Sequence, residues 1–273
     1  TIMSYGATQF VTPLAFRSIT HRAVVTDSFD PDSQYSVEHV ALAQQADVVV
    51  VAPTTVHCIA KLALGLADDP LTTTIIAAAA PLVVAPAMDG NMYDHPATQA
   101  NLSTLKERGV VIAGPGTGRL ASGLRGVGRL LETPELLGHI TYAMGRDGDL
   151  AGRTVVVSAG GTMEPLDPVR VITNHSSGKM GYALAEAARD RGASVVLVTA
   201  PTNLADPALV KVVRVRTAQQ MGEAVQEHAE QVDALVMAAA VADYRPAVEA
   251  EQKIKKADDE LIIHLAKTTD ILK

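Results

Sequence analysis

Short runs of β-branched and other apolar residues alternate with stretches of helical period along the whole chain. Residues 46–53 predict a buried strand, 58–67 a helix, 81–86 a strand, 96–108 a helix with proline in its first turn, and 109–113 a strand. Strands apolar on both faces that alternate with helices predict a parallel sheet covered on each side. At 145–152 glycine and charge replace the periodicity, which predicts an interdomain linker. The alternation then restarts, with strands at 154–158, 194–199 and 234–238 and helices at 178–192 and 219–231. The expectation is an α/β protein of two doubly wound, Rossmann-like parallel-sheet domains, 1–146 and 147–273.

Composition narrows the classes. With 273 residues and 48% hydrophobic content the chain can bury a core, which excludes wholesale disorder. Aromatics make up 3% and tryptophan is absent, which argues against base-stacking nucleic-acid platforms. A net charge of −7 argues against general binding to DNA or anionic membrane. The single cysteine, Cys58, cannot form an intrachain disulfide, and no Cys/His cluster suggests zinc. This fits a reducing cytoplasm. No apolar run reaches membrane-spanning length and no signal peptide opens the chain. The start at Thr1, within what reads as a strand end, and the stop after Asp270-Ile271-Leu272-Lys273 predict a fragment lacking both ends.

Candidate chemistry in the second half begins at Ser158-Ala159-Gly160-Gly161-Thr162. Paired glycines after a strand let backbone approach a ligand, and their amides can hold phosphate, although turn chemistry explains most such loops. The stretch 164–181 is more specific. Polar residues, with Arg170 and Asn174 among them, crowd a loop that opens a helix; Ser176 and Ser177 stand at N-cap positions and Lys179 adds charge. A capped helix after a polar loop accounts for any single serine, and a phosphate site accounts better for the set. Asp243 lies at the end of a strand, suited to a metal, a ribose hydroxyl or a turn. Lys253, Lys255 and Lys256 concentrate cations on an acidic chain, as a solvated face or as a phosphate clamp.

On the stretches 160–181, 238–246 and 253–256, this half resembles the phosphopantothenate–cysteine ligase domain of bifunctional bacterial coenzyme A biosynthesis enzymes. The resemblance implies use of CTP and Mg²⁺, with carboxylate attack on CTP giving an acyl-cytidylate that the cysteine amine captures. It implies that Asn174 stabilises the acyl-cytidylate, that Arg170 faces phosphate or substrate, that Lys253 is needed for reaction with cysteine, and that Asp243 lies near nucleotide and metal. It also implies dimeric ligase domains.

In the first half, Ser4, Phe10 and their neighbours read as helix start and core, or as part of a ligand site. His39 precedes an apolar run, where a lone histidine is more often structural. Pro53-Thr54-Thr55 forms a strand-to-helix turn suited to anions. Asp69 and Thr72 fall where the helix that follows ends. Pro86-Ala87-Met88-Asp89-Gly90-Asn91-Met92-Tyr93 sets Asp89 and Met92 at a strand end and reads as a binding loop. Residues 114–129 hold six glycines with Arg119, Arg125 and Arg129, a density that predicts a mobile flap without regular structure.

These segments resemble the FMN-dependent phosphopantothenoylcysteine decarboxylases, a flavodoxin-like family, from near Ser4 to about Pro134. The resemblance implies FMN near Pro53–Thr73, with trimeric flavin domains whose sites form between subunits. The substrate motif falls at 86–93, and an active-site flap at 121–129 includes Ser122 and Arg129. His39 matches the acid/base group. Flavin would oxidise the substrate thiol, CO₂ would leave, and reduced flavin would return the electrons. Two positions depart from the common motif: Asp89 stands for asparagine and Ser122 for cysteine. They sustain a runner-up, a non-catalytic flavin-binding first half serving as an oligomerisation module. A dinucleotide-dependent dehydrogenase is disfavoured because no G-x-G-x-x-G occurs.

Overall fold

The β-branched runs become strands, and what distinguishes them is burial on both sides. The computed structural model describes residues 1–28, 37–230, 232–255 and 261–273. Along the chain it contains α1 (Tyr5–Thr8), α2 (Pro13–Thr20), α3 (Glu38–Gln45), β1 (Val49–Thr54), α4 (Val56–Leu64), α5 (Pro70–Ala77), β2 (Leu82–Pro86), α6 (Gly90–Tyr93), α7 (Pro96–Glu107), β3 (Val111–Ile112), β4 (Gly116–Arg119), β5 (Arg125–Arg129) and α8 (Thr133–Gly145). There follow β6 (Thr154–Ala159), β7 (Met163–Asp167), β8 (Arg170–Thr173), α9 (Lys179–Arg189), β9 (Ser194–Thr199), β10 (Lys211–Arg214), α10 (Ala218–Ala229), β11 (Ala234–Met237), β12 (Tyr244–Pro246) and β13 (Leu265–Lys267). The chain divides into two units, Thr1–Met144 and Gly145–Lys273.

In the first unit β1, β2 and β3 form a parallel sheet in that order. Successive residues of β2 point to opposite faces. Val84 packs with Ile59 and Leu62 of α4 and Leu102 and Leu105 of α7, while Val83 and Ala85 pack with Ala143 of α8. Each fully buried aliphatic side chain contributes ~1.5–3 kcal/mol of transfer free energy, so the two facing clusters hold the strand ends in place.

The second unit has a parallel sheet in the order β10-β9-β6-β11. Val155 and Val157 of β6 meet Tyr182, Ala185 and Ala188 of α9, whereas Val156 meets Met221, Ala224 and Val225 of α10. Helices therefore cover both faces, as the doubly apolar strand pattern requires. The strand order reverses between β6 and β11, and the carboxyl ends there form the switch point where open α/β sheets bind ligands.

Three expectations change. Residues 58–73 are two helices: Gly65 caps α4, and Asp69 with Pro70 starts α5. The glycine-rich segment is an antiparallel hairpin, β4–β5, because backbone hydrogen bonds close it without side-chain help. The polar stretch after Thr162 is also mostly a hairpin, β7–β8, whose turn lies at Asp167–Arg170. Gln231, at the predicted end of a helix, lies outside the described residues, as does Lys256.

Candidate functional site

In the first unit the candidate site gathers at the carboxyl ends of β1 and β2. The Ala87 amide bonds the Thr54 carbonyl at 3.0 Å, which ties the two strand ends together. Asp89 follows and caps α6 by accepting the Asn91 amide at 3.2 Å. The β4–β5 hairpin is docked on this loop. The Met88 amide donates to the Gly128 carbonyl at 2.9 Å. Gly128 has φ +136, and a Cβ there would lie 2.0 Å from the Met88 carbonyl oxygen, so only glycine permits the approach. At the hairpin tip Ser122 donates its hydroxyl to Asp89 Oδ2 at 2.9 Å. The two motif positions that set this chain apart therefore touch each other. Arg129 lies along the same hairpin and pairs with Glu132 at 2.5 Å. Met92 is half exposed beside the loop.

The proposed flavin segment separates into two groups. Thr55 caps α4 by accepting the Cys58 amide, and Pro53 beside it is exposed. No acidic residue occupies the first turn of α4, so its amide end favours an anion. Asp69 and Thr72 have structural work instead. Asp69 accepts both the amide and the hydroxyl of Thr72 at 2.8 Å and Lys61 at 2.8 Å, and Thr72 is 1% exposed. Burial pushes the Asp69 carboxyl up, but Lys61 and Thr72 outweigh it and leave the group below its usual range. Asp69 and Thr72 thus form a capping network at the start of α5. Burial, with Asp69 adding to it, pushes Cys58 up to about 11, so this thiol stays protonated near neutrality. Ser4 caps α1, and Phe10 stands 92% exposed next to it. His39 lies half-buried on α3, and no bond among the described residues ties it to the Asp89 loop.

In the second unit the candidate site lies where β6 and β11 end. Gly160 and Gly161 are buried, and Cβ atoms there would meet Ala200 and Asn174 carbonyl oxygens at 2.8 Å. The glycines therefore permit close approach of protein backbone at this turn. The Ala240 amide bonds the Gly160 carbonyl at 2.8 Å, and the Ala242 amide bonds the Thr162 hydroxyl at 2.9 Å. Above this seam Asn174 is exposed, and its amide reaches the Ala240 and Val241 carbonyls only at 3.5 and 3.4 Å. Bonds of that length are weak and exchange readily for a better acceptor.

The N-cap of α9 is Gly178 rather than either serine. Ser176 and Ser177 instead accept the Gly178 and Lys179 amides, each at 3.4 Å. Lys179 is exposed. A cavity of about 230 Å³, lined by Tyr182, Thr202 and Arg214 among others, opens nearby. Asp243 presents an exposed carboxylate. Among the described residues no three His, Cys, Asp or Glu side chains converge, so a magnesium ion at Asp243 would draw its remaining ligands from phosphate and water. Lys253 and Lys255 are exposed. Arg170 is exposed beside the hairpin turn, where its guanidinium sits 3.5 Å from Asp167 and donates to the Ile254 carbonyl at 3.3 Å.

Two buried acids escaped the sequence reading. Glu164 is 2% exposed and accepts the first amide of α10, from Ala218, at 2.9 Å. Asp167 holds the β7–β8 turn. The available signal at Asp167 was the Asp167-Pro168 pair, which favours turn initiation, and nothing in the pattern marks Glu164.

Residues 1–144 match the family described as Flavoprotein, and residues 150–273 match the DNA/pantothenate metabolism flavoprotein C-terminal domain. Over 99% of the chain the sequence is 44% identical to the coenzyme A biosynthesis bifunctional protein CoaBC of Vibrio parahaemolyticus, and it spans 68% of that protein. The chain belongs to the CoaBC family. The Mycobacterium tuberculosis CoaBC is 47% identical over 99% of the chain, with 66% of its own length covered. Among solved structures, the C-terminal domain of a CoaBC protein is 47% identical, with 45% of this chain and 57% of that one aligned at a TM-score of 0.40. The FMN-dependent cysteine decarboxylase SpaF is 36% identical, with coverages of 50% and 74% and a TM-score of 0.44. Among the described residues no helix is long and apolar enough to cross a membrane.

Proposed function

We propose that this chain catalyses two consecutive steps of coenzyme A biosynthesis. The second unit would join 4′-phosphopantothenate to cysteine at the expense of CTP, and the first would decarboxylate the product to 4′-phosphopantetheine with FMN. The observation that carries this reading is the 44% identity over 99% of the chain to a protein named as a coenzyme A biosynthesis bifunctional protein. The non-catalytic alternative is not favoured, because the relatives are named for a biosynthetic role in both parts of a bifunctional protein.

For ligation, the substrate carboxylate attacks the α-phosphorus of CTP and pyrophosphate leaves. The cysteine amine then attacks the acyl carbon and CMP leaves. Asn174 would trade its two long carbonyl contacts for the polarised acyl oxygen. Lys179, Lys253, Lys255 and Lys256 would offset phosphate charge, and Asp243 would hold Mg²⁺ together with the nucleotide. Ser176 and Ser177 lie beside the same helix start and would face the phosphates.

For decarboxylation, FMN supplies the two-electron chemistry when bound. Pro53 and Thr55, at the anion-favouring start of α4, would take its phosphate, with Ser4 and Phe10 as further contacts. His39 would move a proton. Asp89, held by Ser122, would present an acceptor-only group to the substrate, where an asparagine would also donate. Met92 and Arg129 would border the substrate. A cytoplasmic location would fit the lone free cysteine, Cys58. Exposed Phe10, Leu14 and Ile19 suit a trimer of flavin units, and exposed Ile262 and Leu265 a dimer of ligase units.

The test is direct. Purified protein should show bound-flavin absorbance and release CO₂ from 4′-phosphopantothenoylcysteine. It should also form that compound from its parts only with CTP and Mg²⁺. Absence of both activities in folded, FMN-supplied protein defeats the reading.

A further inference from the structure

We propose that Asp167 and Arg170 are positioning residues that pin the segment 250–254 to the β7–β8 turn and so set Lys253 relative to Asn174. The proposal rests on the ligase reading above. Asp167 is buried at the hairpin turn. Its Oδ1 accepts the Val169 and Arg170 amides, each at 2.9 Å, and its Oδ2 accepts the Ile254 amide at 3.1 Å across 87 residues of sequence. Arg170, 3.5 Å from Asp167 Oδ2, donates to the carbonyl of the same Ile254. Both backbone polar groups of one residue are thus held by one side-chain pair. A third bond, from the Ala250 amide to the Leu166 carbonyl at 3.0 Å, fixes the other end of the segment.

The electrostatics agree. Burial pushes the Asp167 carboxyl up, but the Val169 and Ile254 amides and the Arg170 charge outweigh it, and the group ends below its usual range. Ionised, it is an acceptor-only group with its bonds met by backbone donors. Strand β8 then runs from Arg170 to Thr173 and delivers Asn174 four residues on, about 13 Å away at strand rise. Lys253 immediately precedes the pinned residue and is exposed. The hairpin therefore carries Asn174 on one strand and anchors the lysine segment at its turn. On this proposal the arginine acts through the position of Lys253.

The experiment compares the full chain with Arg170→Gln, Arg170→Lys and Asp167→Asn. Arg170 is partly exposed, so its variants test the idea even if Asp167→Asn fails to fold. Trypsin cleavage after Lys253 and Lys255 should speed up at least tenfold in Arg170→Gln and return toward wild type in Arg170→Lys, which keeps one donor for the carbonyl. In the same Arg170→Gln protein, capture of the activated acid by cysteine should slow at least tenfold while KM for CTP and for 4′-phosphopantothenate stays within twofold. Unchanged cleavage in Arg170→Gln overturns the proposal. So does a raised KM for 4′-phosphopantothenate with unchanged cleavage, which makes Arg170 a substrate contact. Wild-type protein without CTP-dependent ligation overturns the ligase reading, and with it the role assigned to the pin, whatever the cleavage shows.

Discussion

Replacing Gly128 by alanine should undock the β4–β5 hairpin from the Asp89 loop. A Cβ at this position would lie 2.0 Å from the Met88 carbonyl oxygen and 3.2 Å from its carbon, both rigid backbone atoms, so the strand has to withdraw. Withdrawal breaks the 2.9 Å bond from the Met88 amide to the Gly128 carbonyl, worth about 0.5–1.5 kcal/mol. Alanine held near φ +136 in the docked hairpin costs a further amount of about 1–3 kcal/mol. Together these shift the docking equilibrium by about 1.5–4.5 kcal/mol, which is roughly 10- to 1600-fold at ~1.4 kcal/mol per factor of ten. Trypsin cleavage after Arg119 and Arg125 reads the undocked population when closing is fast relative to cutting. The expected result is acceleration in that range with a cooperative unfolding transition retained. Gly126→Ala serves as the control, because a Cβ there meets nothing within 4 Å. Equal cleavage of Gly128→Ala and wild type would refute the claim that backbone contact at Gly128 docks the hairpin.

The Ser122–Asp89 bond should matter to turnover rather than to cofactor retention. Ser122→Ala is expected to slow CO₂ release at least tenfold with FMN affinity unchanged, and unaltered turnover would take the hydroxyl out of the chemistry. Cys58 should resist alkylation. With its pKa near 11 in the fold against an ordinary 9.0, it carries about a hundredfold less thiolate at pH 8, and iodoacetamide should label it correspondingly slower than in urea-unfolded chain. The sign for stability follows. The raised value contributes stability that is complete below pH 9 and is lost as pH climbs toward 11, and Cys58→Ser should flatten that alkaline loss.

The sequence was most legible where one physical requirement dominated. Strands buried on both faces must be apolar throughout, so β9 emerges over 194–199 and β6 within one residue of its observed end. The hairpins were less legible, because their cause is not in their side chains. In β4–β5 the glycines point to disorder while backbone pairing supplies the order. The helix α5 hides in Thr72, Thr73 and Thr74, β-branched residues that weaken a helical reading, although Asp69-Pro70 is a sound start signal. Site contacts were least legible. Asp89 and Ser122 stood out singly, but nothing in the chain shows that a hairpin closes the 33 residues between them. Arg170 is placed toward substrate by its motif, and nothing near it in the chain shows that it also bonds the carbonyl of Ile254, 84 positions on.

The most direct test of the whole account couples both units in one tube. The protein is given 4′-phosphopantothenate, carboxyl-labelled cysteine, FMN and Mg²⁺, with and without CTP, and labelled CO₂ is collected. The account predicts label release that requires CTP and falls to background in Asn174→Ala while CTP binding remains measurable. Release that ignores CTP, or none from protein that unfolds cooperatively and binds both FMN and CTP, would contradict it.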